Sequence, residues 1–549
     1  MQILNILQLI YRGKSNKIGV KLYGENAVLE SITINEKIPM NFSLWRIFIV
    51  FGIIAFIYCL RNFEIFKIPF SQKNLKQEFI LLGVLGIFLG LICFINDYSR
   101  ESEQYDFYSY NFVKALSDGS ISLEETPNEK LIQMENPYDA NGRYEAGVIR
   151  NRDYFWDCAL YNEKYYVYFG ILPVLILFLP YHFFTGEFLI SAVGVLVFSI
   201  LAAIAIKALV EIIFTIYFKE VKFGYMVLSL MIMLFGSQIL ILNGIPRFYE
   251  VPIAAGIFFA ISGIDLILMN SKKENYLGIF WGAWCLALAV SCRPTELLAS
   301  LIIVPILLKL FMQNIKNHKN VIKNILAIAI PYLVVGILLM IYNYVRFGSI
   351  IEFGAKYQLT INDMRHLSNR FATIGVGLVC SLFSIPSFIP NFPFIVNHNN
   401  LVTFYGFYYI ENMIGGLFIL VPICFTIFKL PVLYRKSQER ELVKFVITLI
   451  IVGMMICILS IMMGGSMQRY IVDYAWILVL DGICIFLELQ QNIYKTNEAK
   501  HILKKIFVYI TMYIVFVNLF GGIVSEKSFM RNNSPKKYYG IKYIVDFWE

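Results

Sequence analysis

The feature that most restricts how this chain can fold is a series of apolar runs, each about 20 residues long, along most of its length. Such runs are typical of helices that cross a lipid bilayer, because about 20 residues of α-helix span the hydrocarbon core. Hydrophobic side chains make up 58% of the 549 residues and charged ones 15%. This composition excludes a soluble globular enzyme and a disordered chain. The sequence therefore predicts an all-α polytopic membrane protein.

We expect about 11 to 12 of these runs to be transmembrane helices, since a few need not cross. The runs lie near 44–60, 79–96, 165–184, 188–217, 223–243, 248–268, 276–292, 294–312, 321–343, 407–428, 442–462, 469–488 and 503–523. The predicted divisions are an N-terminal extension (1–78), a transmembrane core (79–350) that contains an outer loop (97–187), a further outer loop (351–406), and C-terminal helices with an outer tail (407–549).

The formal net charge of +9 does not indicate nucleic-acid binding, because the basic residues lie in short loops between apolar runs. These loops recur after every second run from residue 188 onward, and the positive-inside rule places them in the cytoplasm. Their basic residues are Lys219, Lys222, Lys272, Lys273, Lys316, Lys319, Lys323, Arg435, Lys436, Arg440, Lys495, Lys500 and Lys504. The polar regions at 97–187, 244–247 and 344–406 and the tail after residue 522 then face outward.

The run at 165–184 conflicts with a strict alternation of inside and outside loops. If it crossed the membrane, the loop at 97–164 would be cytoplasmic, although it has fourteen acidic residues against seven basic ones. The run also contains Pro173 and Pro180, which disfavour an uninterrupted helix. We therefore predict that 165–184 lies at the outer interface without crossing, and the topology of 44–60 stays open.

Charged side chains gather at the predicted outer ends of the runs, where each is costly unless it is paired or functional. They are Asp97, Glu103, Asp106, Glu163, Lys164, Arg247, Glu250, Arg293, Glu296, Arg346, Arg469 and Asp473. Carboxylates and arginines on one rim point to an anionic headgroup and a general base. Local pairing of Arg293 with Glu296, and snorkelling of Arg346 and Arg469, are the simpler alternatives. Farther from this rim, Lys207 and Glu211 are expected to pair, since they stand four residues apart.

Several motifs occur in one order along the outer side. The first outer loop contains "YDFYSYNFVKALSDG", an acid followed by D-x-x-x-Y and A-L-x-x-G, and then "YNEKYYVYFGILP". An arginine and an acid stand three residues apart in "GIPRFYEVPIAAGIFF". Over roughly residues 79–350 this order resembles the GT-C glycosyltransferases, and within them the protein O-mannosyltransferase and lipid A aminoarabinose transferase group. The resemblance implies a GT-C-like bundle with interfacial helices in its first outer loop.

The resemblance also implies the roles of individual residues. Asp106 would be the catalytic acid of the first loop, with Tyr110 beside it, and Glu250 would be the second carboxylate. Lys164 would meet the donor phosphate, oriented by Glu163, although tyrosines replace the two prolines that the family has after this lysine. Arg247 falls on an arginine that the family keeps before its second carboxylate. Independently of the resemblance, Arg293, Arg346 and Arg469 would bind the same phosphate through their guanidinium groups, and Glu296 would support them.

The implied function is transfer of a sugar from a polyprenyl-phosphate donor to an acceptor glycan, lipid or protein on the outer face of the membrane. We expect a multi-pass protein of a bacterial plasma membrane, in contact with membrane lipids and not with nucleic acid. No cofactor is predicted, and a divalent metal is left open. One alternative is a polysaccharide or lipid transporter or flippase. Another is an O-antigen-type polymerase, which the arginines of the 344–406 loop favour.

Overall fold

The computed structural model describes residues 64–96, 107–316, 321–365, 370–396, 402–404, 407–410, 413–524 and 529–545. Within these ranges, eight helices are long and apolar enough to cross a membrane, and four shorter apolar helices lie between them in the chain. Two of these four, Phe223–Gly236 and Tyr276–Cys292, are numbered together with the eight. In order, the ten are α1 (Leu75–Ile95), α2 (Ser191–Tyr217), α3 (Phe223–Gly236), α4 (Glu250–Ser271), α5 (Tyr276–Cys292), α6 (Pro294–Lys316), α7 (Val321–Phe347), α8 (Arg440–Gly464), α9 (Gln468–Ile493) and α10 (Asn497–Val524), of which α3 and α5 are the shorter. The protein is an all-α multi-pass membrane protein, and the predicted run 44–60 lies outside the described residues.

Helix α9 forms the centre of the bundle, since 94% of its most apolar window is buried by the rest of the protein. It packs against α8, and α4 packs against α2 and α5. At one end of the bundle α4 and α9 begin and α5 ends, and we name this the arginine end. At the other, the lysine end, α2 and α4 end and α3 begins.

The lysine end brings basic residues of separate loops together. Burial, and then the charges of Lys219 and Lys309, lower the pKa of Lys272. The Lys309 ammonium lies 3.4 Å from a carboxylate oxygen of Glu441 on α8. The loops with a predicted excess of positive charge thus meet at one end of the bundle, as an alternating topology requires.

The predicted pairing of Lys207 with Glu211 is confirmed. The Lys207 ammonium donates to carboxylate oxygens of Glu211 and of Glu78 on α1, both at 2.6 Å. This buried charge therefore also ties α2 to α1.

The predicted run at 223–243 is broken into two helices. Helix α3 ends at Gly236, and Gln238 adopts a left-handed backbone with φ of +66° before the chain continues as Ile239–Gly244. The Gln238 side-chain amide donates to Asn518 Oδ1 on α10 at 2.5 Å. A side chain of a neighbouring helix thus anchors the residue at the interruption.

The predicted run at 407–428 is not one helix. Pro422 has no backbone N–H and cannot continue a preceding helix, so the chain breaks at Val421. The freed carbonyl of Leu420 accepts a hydrogen bond from Asn518 Nδ2 at 3.3 Å. The segment consists of a strand (Phe407–Ile410), two short helices (Leu417–Leu420 and Leu430–Lys436) and a 3-10 helix between them (Pro422–Lys429).

Two loops at the arginine end pack together, and we name residues 107–187 and 348–365 the loop lobe. The Asp157 N–H donates to the Leu359 carbonyl at 3.0 Å, and the Leu359 N–H donates to the Cys158 carbonyl at 2.9 Å. The lobe contains the antiparallel hairpin β1 (Ala159–Tyr161) and β2 (Lys164–Tyr166) and the short helices Phe107–Asn111, Phe112–Ser117, Glu129–Ile132, Ala140–Glu145, Val174–Phe178, Leu179–Thr185 and Ala355–Tyr357.

The remaining described elements are short, apart from a helix at Arg370–Phe383 that the sequence does not predict. They are a 3-10 turn (Glu64–Phe66), the hairpin β3 (Ser387–Phe388) and β4 (Ile395–Val396), the hairpin β5 (Val402–Phe404) and β6 (Phe407–Ile410), and the helices Phe529–Asn533 and Pro535–Val545.

The segment predicted to lie at the interface does not form a spanning helix. Its helical part, Val174–Thr185, is about 18 Å long at 1.5 Å per residue, against a hydrocarbon core of about 30 Å. The Phe178 ring packs on Gly194 in the first turn of α2, so closely that a Cβ atom added to Gly194 would lie 2.5 Å from the ring. The segment 165–184 thus contains no helix long enough to cross alone, and its helix packs on the start of a spanning helix. Its position at the outer interface stays a prediction.

The two ends should be labelled from opposite sides of the membrane. A cysteine in place of Tyr144, which is 85% exposed in the loop lobe, should react with a membrane-impermeant maleimide in intact cells. A cysteine in place of Lys436, at the lysine end, should react only after permeabilisation, because positively charged loops stay in the cytoplasm. The parent protein sets the background of the native cysteines. Labelling of the Tyr144 position only after permeabilisation would reverse the assignment of the two ends.

Candidate functional site

Three helix ends meet at the arginine end, and each contributes one of the predicted arginines. Arg247 precedes α4, Arg469 lies in the first turn of α9, and Arg293 joins α5 to α6. The backbone of Arg293 is extended, because Pro294 starts a new helix and cannot continue α5. Helix ends bring together side chains that are far apart in the sequence.

Two tyrosine rings hold the three guanidinium groups. Above Tyr249, the guanidinium carbon of Arg469 lies 4.7 Å and that of Arg247 5.5 Å from the ring centroid. At Tyr470, Arg469 lies at 5.2 Å and Arg293 at 5.6 Å. All four distances fall within the range in which a cation is attracted to an aromatic face. We name these five side chains the arginine cluster.

Two buried carboxylates pair with arginines of this cluster. Glu250, which is 2% exposed, accepts from the Arg247 backbone N–H at 3.1 Å and lies 3.5 Å from the Arg247 guanidinium. Fully buried Asp473 lies 2.9 Å from the Arg293 guanidinium. The predicted proximity of Arg247 and Glu250 is confirmed.

Glu296 is not the ion-pair partner of Arg293, contrary to the pairing suggested by their spacing. Its side chain is fully buried and packs on α4 at Gly256, where a Cβ atom would lie 3.2 Å from Glu296 Cγ. Among the described residues, neither of its carboxylate oxygens has a hydrogen-bond partner. Arg293 and Asp473 both lie within electrostatic reach of it. Glu296 thus belongs to the buried surroundings of the Arg293 ion pair.

Asp157 joins the arginine cluster from the loop lobe, and no sequence motif marks it. The Tyr249 hydroxyl donates to Asp157 Oδ2 at 2.5 Å. Burial first, and then the Asp157 carboxylate, raise the pKa of Tyr249 well above its ordinary value. The hydroxyl therefore keeps its proton and acts as the donor. Asp157 is one of fourteen acidic residues in its loop, and no periodicity distinguishes it from the others.

The predicted pair Glu163 and Lys164 lies at the tip of the hairpin of the loop lobe. Both side chains are exposed, and Glu163 has a turn conformation with φ of +58°. Tyr110 is 45% exposed and packs its ring on Phe188 at 4.4 Å between centroids. The structure does not bring these three residues into the described contacts of the arginine cluster.

Arg346 fastens α7 to the loop lobe. Its guanidinium donates to the Val167 carbonyl at 2.6 Å and to Asn343 Oδ1 at 2.7 Å, and it stacks on Tyr342 at 3.8 Å. The side chain is 3% exposed. These contacts hold the backbone next to Tyr168 in place, and they give Arg346 a structural environment outside the arginine cluster.

Asp106 lies outside the described residues, which resume at Phe107. Nearby, the Tyr108 hydroxyl donates to the Gly170 carbonyl at 2.7 Å. Gly170 packs so closely on the end of α5 that a Cβ atom there would lie 1.9 Å from the Cys292 carbonyl oxygen. The described start of the loop lobe is thus fixed beside Arg293, the residue that follows Cys292.

The described residues contain no group of three or more His, Cys, Asp or Glu side chains that could hold a metal ion. Guanidinium groups, in contrast, match the oxygens of a phosphate or carboxylate in geometry and charge. The described site thus combines three guanidinium groups with buried carboxylates that pair with two of them.

No protein-family model matches the chain, and neither a curated protein nor a solved structure shows significant similarity to it. The resemblance to GT-C glycosyltransferases consequently stays a prediction that rests on the sequence motifs.

Removing Arg293 should destabilise the protein strongly. Arg293→Gln would leave Asp473 buried without its ionic partner, and we expect the free energy of unfolding in detergent to fall by about 3–5 kcal/mol. The double variant with Asp473→Asn should recover part of the loss, because no buried charge is then left unpaired.

Arg365→Gln is the matched control for this loss. Arg365 pairs with Asp363 at 2.8 Å in the loop lobe, where its side chain is 35% exposed, so the expected cost is only about 0–1 kcal/mol. An equal loss for Arg293→Gln and Arg365→Gln would contradict a supporting role of the buried pair.

Proposed function

We propose that the protein is an integral membrane glycosyltransferase that moves a sugar from a polyprenyl-phosphate donor to an acceptor on the outer face of the membrane. The observation that carries the proposal is the convergence of Arg247, Arg293 and Arg469 on Tyr249 and Tyr470. Such a donor brings a phosphate to the membrane surface, and three guanidinium groups would bind its oxygens.

The proposed reaction requires a base for the acceptor hydroxyl and cations for the phosphate. The acceptor hydroxyl oxygen forms a bond to the anomeric carbon of the sugar while the bond from that carbon to the phosphate oxygen breaks. A carboxylate takes the proton of the hydroxyl, and the phosphate leaves with the electron pair. The arginines stabilise the charge that develops on the phosphate, which is the largest contribution in many enzymes.

Asp106 is the proposed base, on the strength of the motif "YDFYSYNFVKALSDG". Glu250 is proposed to position an arginine and not to act as the base. Its two carboxylate oxygens bond to the backbone N–H and approach the guanidinium of Arg247, so it orients that arginine toward the donor phosphate. Lys164 lies at the exposed hairpin tip. We propose that it attracts the lipid phosphate as the donor enters, outside the arginine cluster.

The charge pattern favours an outward-facing site. Basic loops gather at the lysine end, and the arginine cluster lies at the opposite end, next to the loop lobe. If the lysine end is cytoplasmic, a donor in the outer leaflet has its phosphate at the depth of the helix ends that bear the arginines.

A transporter is the second candidate, because two interrupted helices meet inside the bundle. Gly236, at the first interruption, packs on Val421 at the second, and a Cβ atom on Gly236 would lie 3.0 Å from Val421 Cγ1. Facing discontinuous helices are typical of substrate sites in secondary transporters. A transporter would move a lipid-linked sugar across a proteoliposome membrane without forming a new glycosidic bond, and this difference separates the two candidates.

Replacing the proposed base should slow transfer and spare donor binding. Asp106→Asn keeps the shape of the side chain but cannot take a proton, so turnover should fall by about 10²–10⁴-fold, the usual contribution of a general base. The measurement is transfer of radiolabelled sugar from polyprenyl phosphates in reconstituted membranes, together with the donor Kd.

The control is Asp118→Asn, which removes another acid of the same loop and should leave turnover unchanged. Transfer by the Asp106→Asn protein at the wild-type rate would remove Asp106 from the mechanism. Wild-type protein that transfers no sugar from any polyprenyl phosphate, but moves lipid-linked sugars across the membrane, would favour the transporter.

A further inference from the structure

Asp157 occupies a backbone position that fixes the direction of its side chain. Its φ of +57° lies in the left-handed region, which aspartate tolerates better than most residues. The reciprocal backbone hydrogen bonds at Leu359 hold this conformation, since they bind the N–H of Asp157 and the carbonyl of Cys158. The loop lobe therefore presents the Asp157 carboxylate in one orientation.

That carboxylate is buried and meets a single hydroxyl. Asp157 is 8% exposed, and its Oδ2 accepts the Tyr249 hydroxyl at 2.5 Å. Its Oδ1 is buried and has no hydrogen-bond partner among the described residues. A hydrogen bond to a carboxylate is roughly twice as strong as one between neutral groups. The contact thus restrains Tyr249 at the hydroxyl end of its ring.

The restrained ring is also the surface that two arginines share. Arg469 and Arg247 lie 4.7 Å and 5.5 Å from its centroid, and Phe169 packs edge-on against it at 5.4 Å. Any rotation of the ring would move the face on which both guanidinium groups lie. The placement of these two cations thus depends in part on this hydroxyl contact, beside the contacts of Arg247 with Glu250 and of Arg469 with Tyr470.

We propose that Asp157 is a positioning residue that works through Tyr249 to hold Arg247 and Arg469 where they bind the donor phosphate. This inference rests on the proposed function, because it assigns the ligand of the cluster as a lipid phosphate. Asp157 itself acts as a hydrogen-bond acceptor, and its negative charge serves only to strengthen that contact. A role as proton acceptor or as counter-charge would require that charge. The positioning role and these alternatives therefore predict different effects of Asp157→Asn.

The test measures the Kd of a polyprenyl monophosphate for the purified full-length protein in detergent. Tyr249→Phe keeps the ring and removes the donor, and Asp157→Gly removes the acceptor while tolerating the left-handed backbone. Each change should weaken binding by about tenfold, the value of a hydrogen bond to a charged group. Asp157→Asn should weaken binding less, by about threefold, because its side-chain oxygen still accepts the hydroxyl, in a neutral hydrogen bond of roughly half the strength.

The double variant with Asp157→Gly and Tyr249→Phe provides the second readout. If both residues act through one contact, its affinity should equal that of either single variant, because the second change has nothing left to remove. Tyr138→Phe is the matched control, since it deletes another hydroxyl contact of the loop lobe, to the Leu160 carbonyl at 2.8 Å. It should leave the Kd unchanged.

Each outcome decides between the alternatives. Wild-type affinity in Tyr249→Phe, additive losses in the double variant, or a loss in Asp157→Asn as large as in Asp157→Gly would overturn the positioning role. An equal loss in Tyr138→Phe would do the same, because it would indicate general loosening of the loop lobe. Wild-type protein without affinity for the lipid phosphate would instead overturn the proposed function, and this inference with it.

Discussion

Burying a charged side chain inside a membrane protein costs free energy unless an opposite charge lies beside it. The ion pair between Arg293 and Asp473 shows this constraint most clearly. Asp473 is fully buried on the central helix α9, so it needs the guanidinium that lies 2.9 Å away. That contact fixes the turn between α5 and α6 against the start of α9. Arg469 and Tyr470 lie about one turn before Asp473 on α9, so the ion pair also positions this part of the arginine cluster.

Hydrogen bonds between uncharged polar side chains hold the two interrupted helices in place. Gln238 and Asn518 bond to each other, and Asn518 also donates to the Leu420 carbonyl that the break at Val421 leaves free. Gln468, at the start of α9, donates to the Gln238 side-chain oxygen at 3.2 Å. Because a free backbone or amide group in a bilayer is costly, this chain of contacts fixes both interruptions and connects them to the helix that carries the arginine cluster.

The sequence predicted what hydrophobic periodicity and charge can encode. Long uninterrupted runs gave α2 and α4 to within a few residues, because a membrane-spanning helix requires about 20 apolar residues and charge marks its ends. The arginines at the helix ends were found for the same reason. The run at 407–428 was misjudged, since its composition is apolar although Pro422 prevents one continuous helix.

Contacts between distant parts of the chain were not predictable in this way. Arg293 was matched with Glu296, its neighbour in sequence, whereas its partner Asp473 lies in another helix whose packing no local pattern reveals. Asp157 was missed because its contact with Tyr249 depends on a turn and on how the loop lobe packs. Side chains at helix ends can thus be identified from the sequence, but their pairing requires the fold.

The central claim is that the arginine cluster binds the phosphate of a polyprenyl lipid. The most direct measurement compares the affinity of the purified protein for a polyprenyl monophosphate and for the uncharged polyprenol of the same chain length. Binding through guanidinium groups predicts that the phosphate binds at least about tenfold more tightly and loses this advantage when Arg469 is replaced by Gln. Equal affinities for the phosphate and the alcohol would contradict the account, because the cluster would then contribute nothing to recognition of the lipid.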